Sequence, residues 1–110
     1  MMLTGGRMKA IFDVGKDDVL IKLYGELDEY GASKIKDDVD KCIARHPARA
    51  YIFDLENVQF VDSTGLGFLL GRYKKIRQNH AELLVSHVCP QVDKVFKAAG
   101  VYTFVPKINL

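Results

Sequence analysis

The stretch Ala50-Tyr51-Ile52-Phe53-Asp54-Leu55, continued by residues 58–61 into Asp62-Ser63-Thr64-Gly65-Leu66-Gly67, decides the fold. Its first six residues are apolar almost without a break, which fits a central strand buried on both faces. Past Gly65 the period changes. Leu66, Leu69, Leu70, Tyr73 and Ile76 recur at steps of three and four, predicting a helix to about Gln78. A buried strand that runs into an amphipathic helix is half of a crossover between parallel strands.

Upstream, residues 8–14 and 19–24 are rich in β-favouring side chains, and the polar turn Gly15-Lys16-Asp17-Asp18 lies between them. They predict an antiparallel hairpin closed by Gly25. Tyr30, Ile35, Val39, Cys42 and Ile43 then form the apolar stripe of a first helix, which His46-Pro47 ends. Downstream, residues 81–86 read as a strand. Pro90 opens a third helix with Val92, Val95, Phe96 and Ala99 on its stripe, Gly100 stops it, and residues 101–105 read as a last short strand. The predicted order is β-β-α-β-α-β-α-β. This is an α/β fold with a mainly parallel central sheet, an N-terminal antiparallel hairpin strand and flanking helices.

Composition bounds the function. At 110 residues the chain is one domain, and 48% hydrophobic residues supply a core without a staple. Residues 1–7 are expected to be a flexible leader, with the domain over 8–110. A net charge of +2 is too balanced for a nucleic-acid binder, so the cations Arg72, Lys74, Lys75 and Arg77 read as a solvated helix end. No apolar run suits a signal peptide or a membrane span. Cys42 and Cys89 lie far apart and read as free thiols, so the expected location is cytoplasmic. No nucleophile elbow surrounds Ser63 and no phosphate-binding lysine loop is present, which speaks against an enzyme. His46, His80 and His87 show no metal-ligand spacing, so no metal and no cofactor is expected. Asp54 could mimic a phosphoacceptor aspartate, but only Asp13 follows the first strand where an acidic pair is needed. A turn hydrogen bond is the preferred role for Asp54.

Ligands and partners of open α/β sheets meet the loops at strand carboxyl ends. Three loops qualify: Gly25-Glu26-Leu27-Asp28, residues 54–57, and residues 62–67. In the third, Asp62 or Ser63 is suited to cap the helix, and nothing more is needed to explain them. The alternative is that a hydroxyl at a helix start carries phosphate, since free N–H groups and the dipole favour an anion there. Phosphate beside Asp62, Glu26 and Asp28 would repel an apolar or acidic partner surface. Gly65 and Gly67 would permit close backbone approach. Phe68 falls off the helix stripe, and is open to a partner or covered by a neighbouring helix.

The run Asp62-Ser63-Thr64-Gly65-Leu66-Gly67, with Gly25-Glu26-Leu27-Asp28, the run Phe53-Asp54-Leu55-Glu56-Asn57-Val58 and Gly71-Arg72-Tyr73-Lys74, resembles the STAS-domain family of bacterial anti-sigma factor antagonists. The likeness covers roughly residues 8–106. It implies a non-catalytic switch protein. Unphosphorylated, such a protein binds an anti-sigma factor serine kinase with its nucleotide and displaces a sigma factor. The kinase then phosphorylates the position of Ser63, and a serine phosphatase resets the switch. Thr64 fits the family pattern. The partner-binding residues implied are Glu26, Asp28, Asp62, Ser63, Thr64, Gly65, Leu66, Gly67 and Phe68, with neither membrane nor nucleic acid as partner. The other function open to the fold is a ligand-sensing or scaffold domain with no sigma-factor role.

Overall fold

Strand β3 (Ala50–Val61) is the axis of the molecule, and the computed structural model describes residues 8–110 around it. The leader expected at residues 1–7 lies outside the described residues. With β1 (Lys9–Val14), β2 (Asp18–Leu27), β4 (Glu82–Ser86) and β5 (Lys107–Ile108), β3 forms a sheet in the order β1-β2-β3-β4-β5. The β1–β2 hairpin is antiparallel and every other pairing is parallel. Helices α1 (Glu29–Arg45), α2 (Ser63–Gln78) and α3 (Pro90–Ala99) make the crossovers. The mixed α/β architecture read from the sequence is therefore the observed one.

Alternation along β3 turns Tyr51, Phe53 and Leu55 to one face, all essentially inaccessible. Burial of such side chains contributes about 1.5–3 kcal/mol each. Phe53 stacks on Phe68 of α2 at 6.3 Å, and the Tyr51 hydroxyl donates to the carbonyl of His46 at 2.7 Å. One face of β3 thus holds the end of α1 and the middle of α2. On α1 the stripe of Ile35, Val39, Cys42 and Ile43 is buried as predicted, but Tyr30 is 56% exposed. Gly31 and Ala32 take its place, because the helix start presses too closely on the sheet for an aromatic ring. Burial pushes the Cys42 thiol above its ordinary pKa, and both cysteines are free.

Further sequence expectations need correction. Residues 54–57 are not a loop at a strand end. They lie inside β3, where two steps on β2, from Lys22 to Tyr24, oppose three on β3, from Asp54 to Asn57. This is a bulge, and another follows between Gly25 and Leu27. Residues 101–105 are not a strand. Val101–Thr103 is a single 3₁₀ turn, and pairing resumes only past Pro106, which lacks an N–H but offers its carbonyl to Val85 at 3.0 Å. Arg72 is not a solvated cation but a buried one. Among the described residues, no helix is long and apolar enough to cross a membrane.

Candidate functional site

Two helices begin side by side at the end of β2, and both begin in the same way. Asp28 and Asp62 are extended N-cap residues. The Asp28 Oδ1 accepts the Gly31 N–H at 2.7 Å, and the Asp62 Oδ1 accepts the Gly65 N–H at 2.9 Å. Each side chain satisfies a donor that the helix cannot satisfy itself. Each glycine is required by contact. A Cβ on Gly31 would fall on the Glu26 carbonyl oxygen, and one on Gly65 would fall on that of Leu27. The Leu27 carbonyl also accepts the Asp62 N–H at 3.3 Å. Two successive carbonyls of β2 thereby seat two helix starts.

The capping question left open by the sequence is answered by this geometry. Asp62 is the cap, and Ser63 is the first residue of α2. Ser63 is exposed, and among the described residues its hydroxyl makes no hydrogen bond. The first turn of α2 carries no acidic side chain, whereas that of α1 carries Glu29. An anion at Ser63 would meet unsatisfied N–H groups and the positive end of the helix dipole.

The surroundings differ on the two sides of Ser63. On one side, Asp28, Glu29, Tyr30 and Asp62 line an acidic depression. On the other, a groove of about 540 Å³ runs between α1 and α2, lined by Ala32, Lys36, Thr64, Gly67 and Phe68 among others. The groove is mainly apolar, and Phe68 forms part of its wall.

Of the residues expected at the site, Asp28 and Asp62 line the first depression and Thr64, Gly67 and Phe68 the second, with Ser63 between Asp62 and Thr64 in the chain. Glu26 is exposed at the end of β2. Gly65 is buried against Leu27, so its role is to seat the helix rather than to touch a partner. Gly67 meets nothing within 4 Å, so close approach is required at Gly65 and not at Gly67. Leu66 is half-buried against the core. Phe68 is 6% exposed, which decides between the two alternatives left for it in favour of a covered ring.

Sequence reasoning missed the clamp that fixes the groove. The Arg72 Nε lies 3.0 Å from the Asp40 Oδ1, joining α2 to α1. Its N–H is not aligned on that oxygen, so charge rather than an ideal hydrogen bond holds the pair. The guanidinium also covers the Phe68 ring at 4.8 Å. Lys36 and Lys75 approach the other Asp40 oxygen at 3.4 and 3.7 Å. The available signal was position: Arg72 stands four residues after Phe68 and seven after Gly65, on one helix face.

Comparison with known proteins agrees with the motif. The family model described as STAS domain matches residues 10–110. The anti-sigma F factor antagonist of Paenibacillus polymyxa is 35% identical over 88 residues, covering 80% of this chain and 75% of that protein. The anti-sigma-B factor antagonist of Staphylococcus aureus is 34% identical over 80 residues, covering 73% of each. Among solved structures, the anti-sigma factor antagonist SpoIIAA in its unphosphorylated form is 25% identical, with a TM-score of 0.77 over 93% of this chain and 88% of that one.

Proposed function

This chain belongs to the STAS-domain family of anti-sigma factor antagonists, close to SpoIIAA-type proteins, and from that membership we propose a partner switch gated at Ser63. The family is regulatory and not catalytic. In the proposed cycle the unphosphorylated chain binds a nucleotide-loaded anti-sigma serine kinase and so frees a sigma factor. The kinase transfers phosphate to Ser63, binding ends, and a serine phosphatase restores the free hydroxyl.

One observation carries the proposal. Asp62 does the capping, which leaves Ser63 exposed and without a hydrogen bond at the start of α2. A phosphoryl group there adds roughly −1.5 to −2 charge units. The helix itself tolerates that charge, because its free N–H groups face it. A partner seated over the apolar groove and the helix start would have to strip water from the dianion. Asp28 and Asp62 offer no compensating cation, and burying an unpaired charge is strongly unfavourable.

The test is incubation with the cognate kinase and ATP, followed by mass spectrometry. Phosphate on Ser63 is expected. Phosphate on Thr64 alone, or none, overturns the reading. Sizing chromatography adds a second arm: the chain and its Ser63→Ala variant should both co-elute with nucleotide-loaded kinase, and the phosphorylated chain should not.

A further inference from the structure

His87 follows β4 with a backbone φ of 55°, and its ring turns onto β3. Its Nδ1 lies 3.2 Å from the Asp54 Oδ1. Glu56 stands two residues further along β3, and the ligand atoms of Asp54, Glu56 and His87 all lie within 4.8 Å of one another. Asp54 is 7% exposed, and its Oδ1 also accepts the Glu56 N–H at 3.0 Å. Among the described residues, no lysine or arginine pairs with Asp54, not even Lys22, its register partner on β2. The buried carboxylate therefore faces an imidazole and a second carboxylate, with no fixed cation.

A separate observation points into the same place. Ser86 is the register partner of Asp54 in the parallel β3–β4 ladder, so the two side chains leave the same face of the sheet. Ser86 is fully buried, yet its hydroxyl has no hydrogen-bond partner. Proteins rarely leave such a group unanswered, and a bound ligand is one way of answering it. Glu56 is two residues on from Asp54 along β3, so it leaves the same face as Asp54.

We propose that Asp54, Glu56 and His87 form a binding site for a divalent transition-metal ion, with zinc as the test case and the Ser86 hydroxyl placed to hydrogen-bond an oxygen of its coordination shell. Zinc takes nitrogen and oxygen ligands at about 2.0–2.2 Å, which in a tetrahedron sets them about 3.3–3.6 Å apart. The 3.2 Å between His87 and Asp54 is already close to that spacing. The exposed Glu56 has the freedom to close the third position. Two carboxylates neutralise the ion, and the imidazole favours zinc over magnesium or calcium. The metal binds the Nδ1 lone pair, with the ring proton on Nε2. The ion would tie the segment leading into α3 to β3.

The experiment is titration of the purified, metal-free full chain with zinc sulfate, by calorimetry and by thermal unfolding. One ion per chain and a raised unfolding midpoint are expected. His87→Asn removes the imidazole with a residue that tolerates positive φ, and should weaken zinc at least tenfold. Glu56→Gln changes an exposed side chain, leaves the fold intact, and should also weaken it. His46→Asn and His80→Asn should bind as the parent does. Absence of binding in the parent chain, or equal affinity in His87→Asn and Glu56→Gln, overturns the proposal. So does a thiolate-to-cobalt charge-transfer band on cobalt(II) substitution, which would move the ion to Cys89 or Cys42.

Discussion

The starts of α1 and α2 are built to one plan and differ at one position. Both have an aspartate cap whose carboxylate holds a glycine N–H three residues on, and both glycines lie against neighbouring carbonyls of β2. They differ at the first helical residue. α1 has Glu29 there, and α2 has Ser63. The first helix carries an acid at the position where the second carries the hydroxyl proposed as the phosphorylation site. Phosphorylation would make the start of α2 resemble the start of α1. A charge at that position is thus compatible with this helix architecture, so the proposed switch would act on a partner without unfolding its own helix.

The largest predicted effect tests whether the shared plan is structural. Gly65→Ala and Gly31→Ala should each cost about 3 kcal/mol, because the added methyl meets backbone that cannot move aside. Gly67→Ala meets nothing within 4 Å and should gain about 0.5–1 kcal/mol from helix propensity. Urea unfolding of the three variants checks this. Similar midpoints for Gly65→Ala and Gly67→Ala would dissolve the parallel between the two starts.

The next effect separates stability from binding. Ser63→Asp gives α2 the acid that α1 already has, so its stability should hold or rise by about 0.3–1 kcal/mol. Its affinity for the nucleotide-loaded kinase should fall roughly tenfold, equivalent to about 1.4 kcal/mol. Ser63→Ala should leave the affinity unchanged. Paired calorimetry and unfolding curves make the comparison. Loss of stability together with affinity in Ser63→Asp would mean that the charge damages the helix rather than the interface.

The caps come third. Asp62→Ala and Asp28→Ala should each cost about 1 kcal/mol, and the asparagine variants much less, since the amide oxygen can still accept the glycine N–H. A clearly smaller cost at Asp62 would mean that the Ser63 hydroxyl takes over the cap, and is less free than its geometry indicates. Urea unfolding of both alanine variants, with the asparagine variants as references, distinguishes the cases.

What the sequence made legible follows from the range of the interactions involved. The helices were readable because their periods, the His46-Pro47 stop and the Gly100 stop are local. The site was readable because a cap motif spans only four residues. The burial of Phe68 and Arg72 was not, because it depends on α1 lying alongside α2 and widening the covered arc beyond one stripe. Tyr30 failed for the converse reason: a stripe position at the helix start lost its room to the glycine contact with β2. The 54–57 run looked like a loop because its polar residues interrupt an apolar run, and a bulge that keeps such residues in a strand depends on the register with β2. The meeting of His87 with Asp54 joins residues 33 apart in sequence and left no local trace.

The third helix start serves as the reference for the other two. α3 has no side-chain cap, begins at Pro90, and carries Asp93 in its first turn. Asp93 turns away from the helix end. Its Oδ1 accepts the Tyr102 hydroxyl at 2.5 Å and Lys107 at 2.9 Å, and Lys97 lies 3.0 Å from Oδ2. The Tyr102 hydroxyl first, then Lys107 and Lys97, hold the Asp93 carboxyl well below its ordinary pKa. Burial, and then the bond to Asp93, push the Tyr102 hydroxyl up. Because the folded pKa of Asp93 is depressed, its contribution is fully present above the unfolded value and is lost only as pH falls through the folded one. The effect on stability should be the smallest of the set, since the lysines are exposed and water screens them. Carbon NMR should find Asp93 still ionised at pH 3.8, where an unperturbed carboxyl is half protonated. Asp93→Asn should loosen β5 in hydrogen exchange, since Lys107 is one of its two residues. Titration of Asp93 near 3.8 would mean that the network does not form in solution. α3 would then be held by its apolar face alone, and charge placement at a helix start would matter in this fold only where α1 and α2 begin.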